Sequence, residues 1–388
     1  MDGEIPRMPV YRKNAPANIG IFLPTWLGDF VMATPTLRAI RGHFPTSHLV
    51  GIMRPYLKEV LGGTGWLDEQ WYFNPHKRSR ETGHFAILRK IRAARFDMMI
   101  LMPNSPRSAV LAWFGRAAER IGYARNLRGP LLTGKVYRPR IDGHTVDLPM
   151  VDYYLRLSEA VGCPEESRRL HLAITQADEQ SADQVFHELD LRRDGRIVTV
   201  NCSGAYGSAK LWPVEHFAQL ARRIAGTLDH DVLVMCGPNE LVTARQIVQL
   251  AGHPRVVSMA DQPLGLGTAK ACIRRSRLMV TTDSGPRHMA AALGRCVVTV
   301  YGPVLPLWGR NPTVDAVDLY RNDLECVGCG RRTCPRGHHQ CMRGLSVERV
   351  YREVAAWIAR HDLPKRDVVG LPYQPSSPAL FSDDVRGQ

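Results

Sequence analysis

Short apolar runs alternate with stretches of helical spacing along the chain, in two successive series. Residues 30–40 are typical of the helical stretches, because Val31, Leu37 and Ile40 fall on one face. Short, continuous apolar strands between helices indicate a parallel sheet that is covered on both faces. The first series predicts strands at residues 19–23, 48–52, 97–102 and 120–123, and helices at 30–40, 55–61, 105–114, 146–161 and 177–189. The second predicts strands at 196–200, 231–235, 256–257, 278–281 and 296–301, and helices at 214–225, 240–250, 268–275 and 286–293.

The two series predict an α/β protein with two Rossmann-like, doubly wound parallel-sheet domains that face each other across a cleft. Ligands of such sheets bind at the carboxyl ends of the strands, so the cleft is the expected active site. The expected domains are an extension (1–17), a first domain (18–175), a second domain (176–345), a C-terminal helix (346–362) and a poorly ordered tail (363–388).

Composition and charge narrow the class of protein. The chain has 388 residues, of which 44% are hydrophobic and 23% charged, as in a globular protein. No apolar run approaches the ~18 residues of a membrane span, and the N-terminus lacks the apolar core of a signal peptide, so we expect a cytoplasmic protein. The net charge of +14 is compatible with nucleic acid, anionic lipid or phosphorylated substrates. Scattered arginines without a basic tail or an RNA-binding motif argue against nucleic acid.

Residues 281–288 combine a strand end, a Gly/Ser turn and a helix start. Such a helix start directs unpaired backbone N–H groups and a favourable dipole at an anion. Asp283, Ser284, Gly285 and His288 are therefore candidate ligands of a phosphate, such as the leaving group of an activated sugar. The alternative is that Asp-Ser-Gly serves turn formation alone.

Gly28 and Asp29 occupy the equivalent position after the first strand. Gly28 allows a ligand to approach the backbone, and Asp29 lies at the mouth of the next helix. A carboxylate that faces the cleft can take a proton from an acceptor hydroxyl. A helix-capping role for Asp29 is the alternative.

Two further candidates follow strands of the second series. In residues 201–213, small residues such as Ser203 and Gly204 let backbone amides reach a phosphate, and Lys210 adds a positive charge. The segment lacks the order of a Walker loop, and a flexible surface loop is its alternative. Glu240, after the strand at 231–235, either holds ribose hydroxyls or merely starts a helix.

Together these segments resemble glycosyltransferase family 9, the ADP-heptose:lipopolysaccharide heptosyltransferases. The resemblance extends from residue 18 to residue 360, and the loop that carries Lys210 looks most like that of heptosyltransferase II. Its carriers are residues 26–29 with 34–38, residues 204–213, and residues 282–294 with 301–303.

The resemblance implies a GT-B fold, with the acceptor on the first domain and the donor nucleotide on the second. It also implies an inverting, metal-independent transfer of heptose from ADP-heptose to the inner core of lipopolysaccharide at the membrane. By motif match, Asp29 is the base, Lys210 and the amides near Ser284 and Gly285 stabilise the ADP leaving group, and Glu240 contacts the ribose. Two alternatives remain: a relative with another nucleotide sugar or acceptor glycan, and a non-catalytic nucleotide- or polyanion-binding protein.

Metal is expected to play no part in catalysis, because the Asp229–Asp231 pair precedes its strand, away from the cleft, and is interpreted as a turn. Cys326, Cys329, Cys334 and Cys341 form a cluster with His338 and His339 nearby. These cysteines either ligate a structural zinc ion or form a reduced structural or redox cluster. The other five cysteines are expected in the core.

The basic stretch around Lys77, Arg78 and Arg80 is either a solvated loop or the grip on a lipid-linked, anionic acceptor glycan.

Overall fold

The structure, a computed structural model, describes residues 15–76, 79, 81–142 and 144–361. Predictions for the N-terminal extension before residue 15, for Lys77, Arg78 and Arg80, and for the tail from residue 362 onward lie outside the described residues.

The first half of the chain folds around a six-stranded parallel sheet in the order β3-β2-β1-β4-β5-β6. Its strands are β1 (Asn18–Phe22), β2 (His48–Met53), β3 (Glu69–Tyr72), β4 (Met98–Leu101), β5 (Glu119–Tyr123) and β6 (Gly134–Val136). Its helices are α1 (Leu27–Met32), α2 (Thr34–His43), α3 (His84–Ala94), α4 (Pro106–Phe114) and α5 (Met150–Ala160). A small antiparallel hairpin, β7 (Arg140–Ile141) with β8 (His144–Thr145), precedes α5.

The second half repeats this topology, with the strand order β11-β10-β9-β12-β13-β14. The strands are β9 (Ile197–Asn201), β10 (Asp231–Met235), β11 (Val256–Ser258), β12 (Leu278–Thr282), β13 (Cys296–Val300) and β14 (Ala316–Leu319). The helices are α6 (Gln176–Glu188), α7 (Val214–Thr227), α8 (Leu241–Ala251), α9 (Leu266–Arg275), α10 (Gly285–Ala292), α11 (Gln340–Arg343) and α12 (Val347–Arg360). In both halves the order reverses beside the first strand, which is where a crevice opens at the carboxyl ends.

The predicted doubly wound α/β architecture is confirmed, with differences at the edges of the sheets. Sequence analysis missed the helix α3 and the strands β3, β6 and β14. The three strands lie at the edges of their sheets and lack a continuous apolar run. The predicted helix at 55–61 is a 3₁₀ turn at Pro55–Leu57 followed by further turns. The predicted helix at 146–161 begins later, at Met150, after Pro149.

The two halves share one hydrophobic core at their junction. Side chains of the first half, such as Phe30 and Leu37, belong to the same buried cluster as Phe186 of α6, Ile273 of α9 and Met289 of α10. The rest of the second half has a core of its own, which the C-terminal helix α12 completes by packing against α7 and β13. Burial of apolar side chains from both halves therefore holds the junction together.

Polar contacts also join the two halves of the chain. Glu59 of the first half accepts a hydrogen bond of 3.0 Å from the backbone N–H of Gly267 at the start of α9. The fully buried Lys270 Nζ lies 3.1 Å from Asp178 Oδ2 and donates to the carbonyl of Ala173 at 3.0 Å. Removing one partner of such a pair leaves a buried charge, so these contacts hold the connecting segment in one place.

None of the helices in the described residues combines the length and the apolar character that a membrane span requires.

Candidate active site

The amino-terminal ends of α1 and α10 pack against each other where the two halves meet. A Cβ atom at Gly28 would lie 3.0 Å from Cδ2 of His288, and one at Gly285 would lie 2.7 Å from Cβ of Leu27. Glycine at both positions therefore allows the two helix ends to approach this closely. Since α1 follows β1 and α10 follows β12, the contact joins the carboxyl edges of the two sheets.

The Asp29 carboxylate lies at this contact, half-buried in the first turn of α1. The Tyr154 hydroxyl, from α5, donates a hydrogen bond of 3.2 Å to Asp29 Oδ1. Burial raises the pKa of Asp29 above its ordinary value; the charge of Asp283 adds to this rise, whereas the Tyr154 bond and the charge of Lys210 oppose it. Two charges of the second half therefore act directly on a carboxylate of the first.

A hydrogen-bond network joins the ends of β9 and β12 beside α10. The side-chain amide of Asn201 donates to Thr281 Oγ1 and to Ser284 Oγ, both at 2.9 Å. Ser203 Oγ donates to Asn201 Oδ1 at 3.0 Å, and Thr282 Oγ1 donates to the carbonyl of Ser203 at 2.7 Å. The side chain of Ser284 is thereby drawn away from capping α10, so the cap residue does not cover the first-turn N–H groups with its side chain. This helix end is suited to an anion.

Lys210 reaches the start of α10 from the loop that follows β9. Its Nζ lies 2.5 Å from Asp283 Oδ2 and 3.1 Å from the Asp283 carbonyl, at the end of β12. The Tyr206 ring covers the ammonium group at 4.8 Å from its centroid. Both side chains of the ion pair are largely buried, with 12% and 15% of their surface exposed. The lysine charge is thus fixed beside the start of α10.

Arg287 and His288, the two residues after Pro286, have different surroundings. Burial lowers the pKa of His288 well below its ordinary value, and the charges of Arg287 and Lys210 lower it further, so the ring is neutral at neutral pH. Arg287 points into the second half, where it donates to Thr299 Oγ1 at 3.0 Å and to the carbonyl of Gly309 at 3.1 Å. It also pairs with Asp318 at 3.3 Å. Arg287 thus anchors α10 to the sheet.

Most of the predicted second-half residues lie around the start of α10, at the carboxyl ends of β9 and β12, a place that we call the rim: Ser203, Gly204, Lys210, Asp283, Ser284, Gly285 and His288. Glu240 lies apart, at the neighbouring strand β10, where Oε2 accepts a 3.0 Å hydrogen bond from the backbone N–H of Gly237. The predicted acceptor residues Lys77, Arg78 and Arg80 lie outside the described residues. Asp229 lies just before β10 and Asp231 is its first residue, so both are at the amino end of this strand, away from the start of α10.

Sequence analysis missed two residues that shape this site. Asn201, which orients Ser203 and Ser284, is a buried polar residue at the very end of an apolar strand, and that position could have identified it. Tyr154 touches Asp29 from a helix 125 residues away in sequence. Its role follows from packing alone, and no local pattern indicates it.

Solved structures share this architecture. The crystal structure of a family 9 glycosyl transferase from Veillonella parvula DSM 2008 superposes with a TM-score of 0.74 and 24% identity, over 92% of this chain and 99% of that one. The structure of Escherichia coli ADP-heptose LPS heptosyltransferase II superposes with a TM-score of 0.70 and 21% identity, over 89% and 100%. The predicted GT-B fold is therefore confirmed.

Sequence comparison identifies the family. The profile of glycosyltransferase family 9 (heptosyltransferase) matches residues 84–340. Lipooligosaccharide heptosyltransferase 2 of Haemophilus ducreyi is 27% identical over 350 residues, which are 87% of this chain and 98% of that protein. The chain belongs to glycosyltransferase family 9, and it is a glycosyltransferase, as its motifs predict.

The glycine contact between α1 and α10 can be tested by a single methyl group. Gly285→Ala forces the new Cβ into Leu27, so we expect a destabilisation of about 1–3 kcal/mol, as for overpacked cores. Gly42→Ala is the matched control, because Gly42 lies in α2 with no atom near its missing Cβ, and alanine should there stabilise the helix by roughly 0.5–1 kcal/mol. Urea unfolding measures both. Equal effects of the two substitutions would contradict the close contact.

The raised pKa of Asp29 predicts a pH-dependent gain in stability on its removal. A carboxyl group whose pKa is higher in the folded state lowers stability as pH rises through that pKa, and the loss persists at neutral pH. Asp29→Asn should therefore raise the melting temperature at pH 7, and this advantage should disappear below about pH 4, near the unfolded pKa. Glu188→Gln, at an exposed carboxylate, is the control. An Asp29→Asn protein that is less stable than wild type at pH 7 would refute the prediction.

Proposed function

We propose that this protein transfers heptose from ADP-heptose to the inner core of lipopolysaccharide, with inversion at the anomeric carbon and without a catalytic metal. The observation that carries the proposal is the Asp29 carboxylate, whose pKa is raised and which faces the Lys210–Asp283 pair across the junction. The names of the relatives support the sugar: the Haemophilus ducreyi protein is a heptosyltransferase, and the Escherichia coli enzyme is named for ADP-heptose.

Asp29 is the proposed general base. It would take the proton of the acceptor hydroxyl as that oxygen attacks the anomeric carbon, while the bond from this carbon to the ADP oxygen breaks. A raised pKa makes a carboxylate a better proton acceptor near neutral pH. Because the base belongs to the first half and the leaving group to the second, attack and departure occur on opposite sides of the carbon, and the configuration inverts.

Lys210 and the start of α10 are the proposed stabilisers of the departing diphosphate. A fixed ammonium group and backbone N–H groups can offset developing negative charge without a metal ion. Lys210 is paired with Asp283 in the structure, so an incoming diphosphate competes with that carboxylate for the lysine. Ser203, Gly204, Ser284, Gly285 and His288 line the same rim, and we propose Glu240 as the ribose contact.

The acceptor is proposed to bind the first half, beside Asp29. Arg54 and Tyr56 follow the end of β2, and burial raises the pKa of Tyr56 to about 12, with opposing effects from the charges of Arg54 and Asp29. Tyr56 offers an aromatic ring near the proposed base, and Arg54 adds a positive charge beside that ring. Lys77, Arg78 and Arg80 remain the proposed grip on anionic groups of the lipid-linked glycan. We further propose that the protein works in the cytoplasm, bound peripherally to the membrane that carries this acceptor.

The competing proposal is that this protein is a family member that uses another nucleotide sugar or another acceptor glycan. A panel of ADP-, UDP- and GDP-sugars in a thermal-shift assay separates these possibilities. A stabilising response to ADP-sugars above the others supports the ADP-heptose proposal. A preference for UDP- or GDP-sugars overturns it.

The two halves of the proposed mechanism can be separated by substitution. Asp29→Asn should lower the transfer rate about 10²–10⁴-fold, the usual contribution of a general base, and leave ADP affinity nearly unchanged. Lys210→Met should weaken ADP binding as well as transfer, because it removes a charge that faces the diphosphate. Turnover comes from an ADP-release assay and affinity from calorimetry, with Glu188→Gln as the control. Normal turnover by Asp29→Asn would remove this residue from the mechanism.

Metal independence gives a second prediction. Freshly purified enzyme should keep its initial transfer rate in EDTA, because the proposed leaving-group stabilisers are Lys210 and helix N–H groups rather than an ion. Initial rates with and without added Mg²⁺ are the measurement. A rate that falls at once on chelation and returns with Mg²⁺ would contradict this account.

A further inference from the structure

The segment before α11 is folded without a core of its own. Every residue from 321 to 340 is exposed or half-buried, and the chain runs from β14 to α11 without a regular helix or strand. Apolar burial is the main force that holds a segment of this length in one conformation, and here it is small. Another interaction must hold these residues together.

Four thiols converge inside this segment. Cys326, Cys329, Cys334 and Cys341 line one small enclosed cavity of about 20 Å³, and all nine cysteines of the chain are free. The cavity is large enough for one water molecule or one ion. Left-handed backbone at Gly328, Gly330 and Gly337 turns the chain tightly after the first, second and third of these cysteines, and the Cys334 carbonyl accepts a turn hydrogen bond of 3.2 Å from Gly337.

The two histidines beside the cavity, His338 and His339, already make hydrogen bonds with neighbouring groups. His338 Nδ1 accepts a 3.0 Å hydrogen bond from the backbone N–H of Gln340, so its Nε2 carries the proton of the neutral ring. That Nε2 lies 3.8 Å from Cys326 Sγ and faces the sulfur as a donor. His339 Nε2 lies 2.8 Å from the carbonyl of Ala209, and its backbone N–H donates to Cys334 Sγ at 3.4 Å. Both histidines therefore support sulfur atoms rather than compete with them as ligands.

We propose that Cys326, Cys329, Cys334 and Cys341 bind a single thiophilic divalent metal ion, of the class of Zn²⁺, and that this ion positions the loop that carries Lys210. Four cysteines suit a closed tetrahedral site, which is structural rather than catalytic. Each thiol releases its proton to solvent as the ion binds, and the resulting net charge of −2 is offset by neighbouring arginines at 331, 332 and 336. Among the described residues, no three His, Cys, Asp or Glu side chains are already close enough together to bind a metal ion. The four thiols must therefore rotate inward around the cavity when the ion binds.

The cysteine segment touches the Lys210 loop at several points. The backbone N–H of Ala209, next to Lys210, donates to the carbonyl of Arg332 at 3.0 Å, and the Tyr206 hydroxyl donates to the carbonyl of Gly330 at 2.6 Å. Gly207 has a φ of 155° and packs against Arg332 so tightly that a Cβ atom would meet its carbonyl oxygen. The ion would thus act on the donor rim through the backbone around residues 206–210, as a positioning element.

Metal content tests the site independently of any activity. Full-length protein is purified anaerobically, reconstituted with Zn²⁺ or Co²⁺, and assayed for bound metal by mass spectrometry and for the Co²⁺–thiolate absorption of a tetrahedral site. We expect a single ion per chain in wild type. Cys329→Ser is the most informative loss variant, because Cys329 is exposed and contributes little packing. It should lose the ion, whereas His338→Ala and the control Cys163→Ala should keep it.

Two outcomes would overturn the proposal. Wild-type protein that takes up neither Zn²⁺ nor Co²⁺ would show that the cysteines form a metal-free cluster. Loss of the ion in His338→Ala, with retention in one of the four Cys→Ser variants, would show a site with a histidine ligand. Iron in place of zinc in the purified protein would keep the site and change only its natural occupant.

The positioning role needs its own readouts. Trypsin should cleave Cys329→Ser at the exposed Arg331, Arg332 or Arg336 and leave the metal-bound wild type intact there. The affinity for ADP should fall roughly tenfold in Cys329→Ser, as when a supporting shell is lost, while the affinity for adenosine, which lacks phosphates, should not change. This arm rests on the proposed function. Wild type that binds a metal ion but no ADP would refute the proposed function and leave the site intact; unchanged ADP affinity in Cys329→Ser would refute the positioning role.

Discussion

The contact between the starts of α1 and α10 is the constraint on which the rest of the structure depends. Leu27 and Gly28 meet Gly285 and His288 at distances that leave no room for an extra methyl group. Such an approach brings the carboxyl edges of two separate sheets within reach of each other. The carboxylate of Asp29, from one half, and the positive charge of Lys210, from the other, are near each other because of this one close approach.

The electrostatics of the site follow from the same contact. Asp29, Asp283 and Lys210 lie near one another, the Lys210–Asp283 pair is largely buried, and charges interact more strongly in such surroundings than in bulk solvent. The Lys210–Asp283 pair limits the repulsion between the two carboxylates. A carboxylate whose pKa is raised by burial nevertheless lowers the stability of the folded state at neutral pH. Asp29 is thus kept at its position at a cost in stability, as is common for residues of functional sites.

Contacts outside the site hold it in register. Arg287 ties α10 to the sheet behind it through Thr299 and Gly309, and the cysteine segment supports the loop around Ala209 from the other side. Lys270, which pairs with Asp178 and donates to the carbonyl of Ala173, fixes the segment that connects the two halves. The start of α10 and the Lys210 loop are therefore held by several contacts at once, which fixes the position of the Lys210 charge.

The sequence by itself determined the repeated strand–helix order and the positions of Asp29, Lys210 and residues 283–288, because each lies in the segment that follows an apolar strand and local pattern reveals such places. It also located the cysteine cluster by spacing. The edge strands β3, β6 and β14 were not predicted, because their half-exposed residues form no continuous apolar run. Only the tertiary structure decided that Tyr154 contacts Asp29, that Asn201 orients Ser284, and that the cysteine segment lies on the Lys210 loop. These contacts join residues about 80 to 130 positions apart, and no short-range periodicity encodes them.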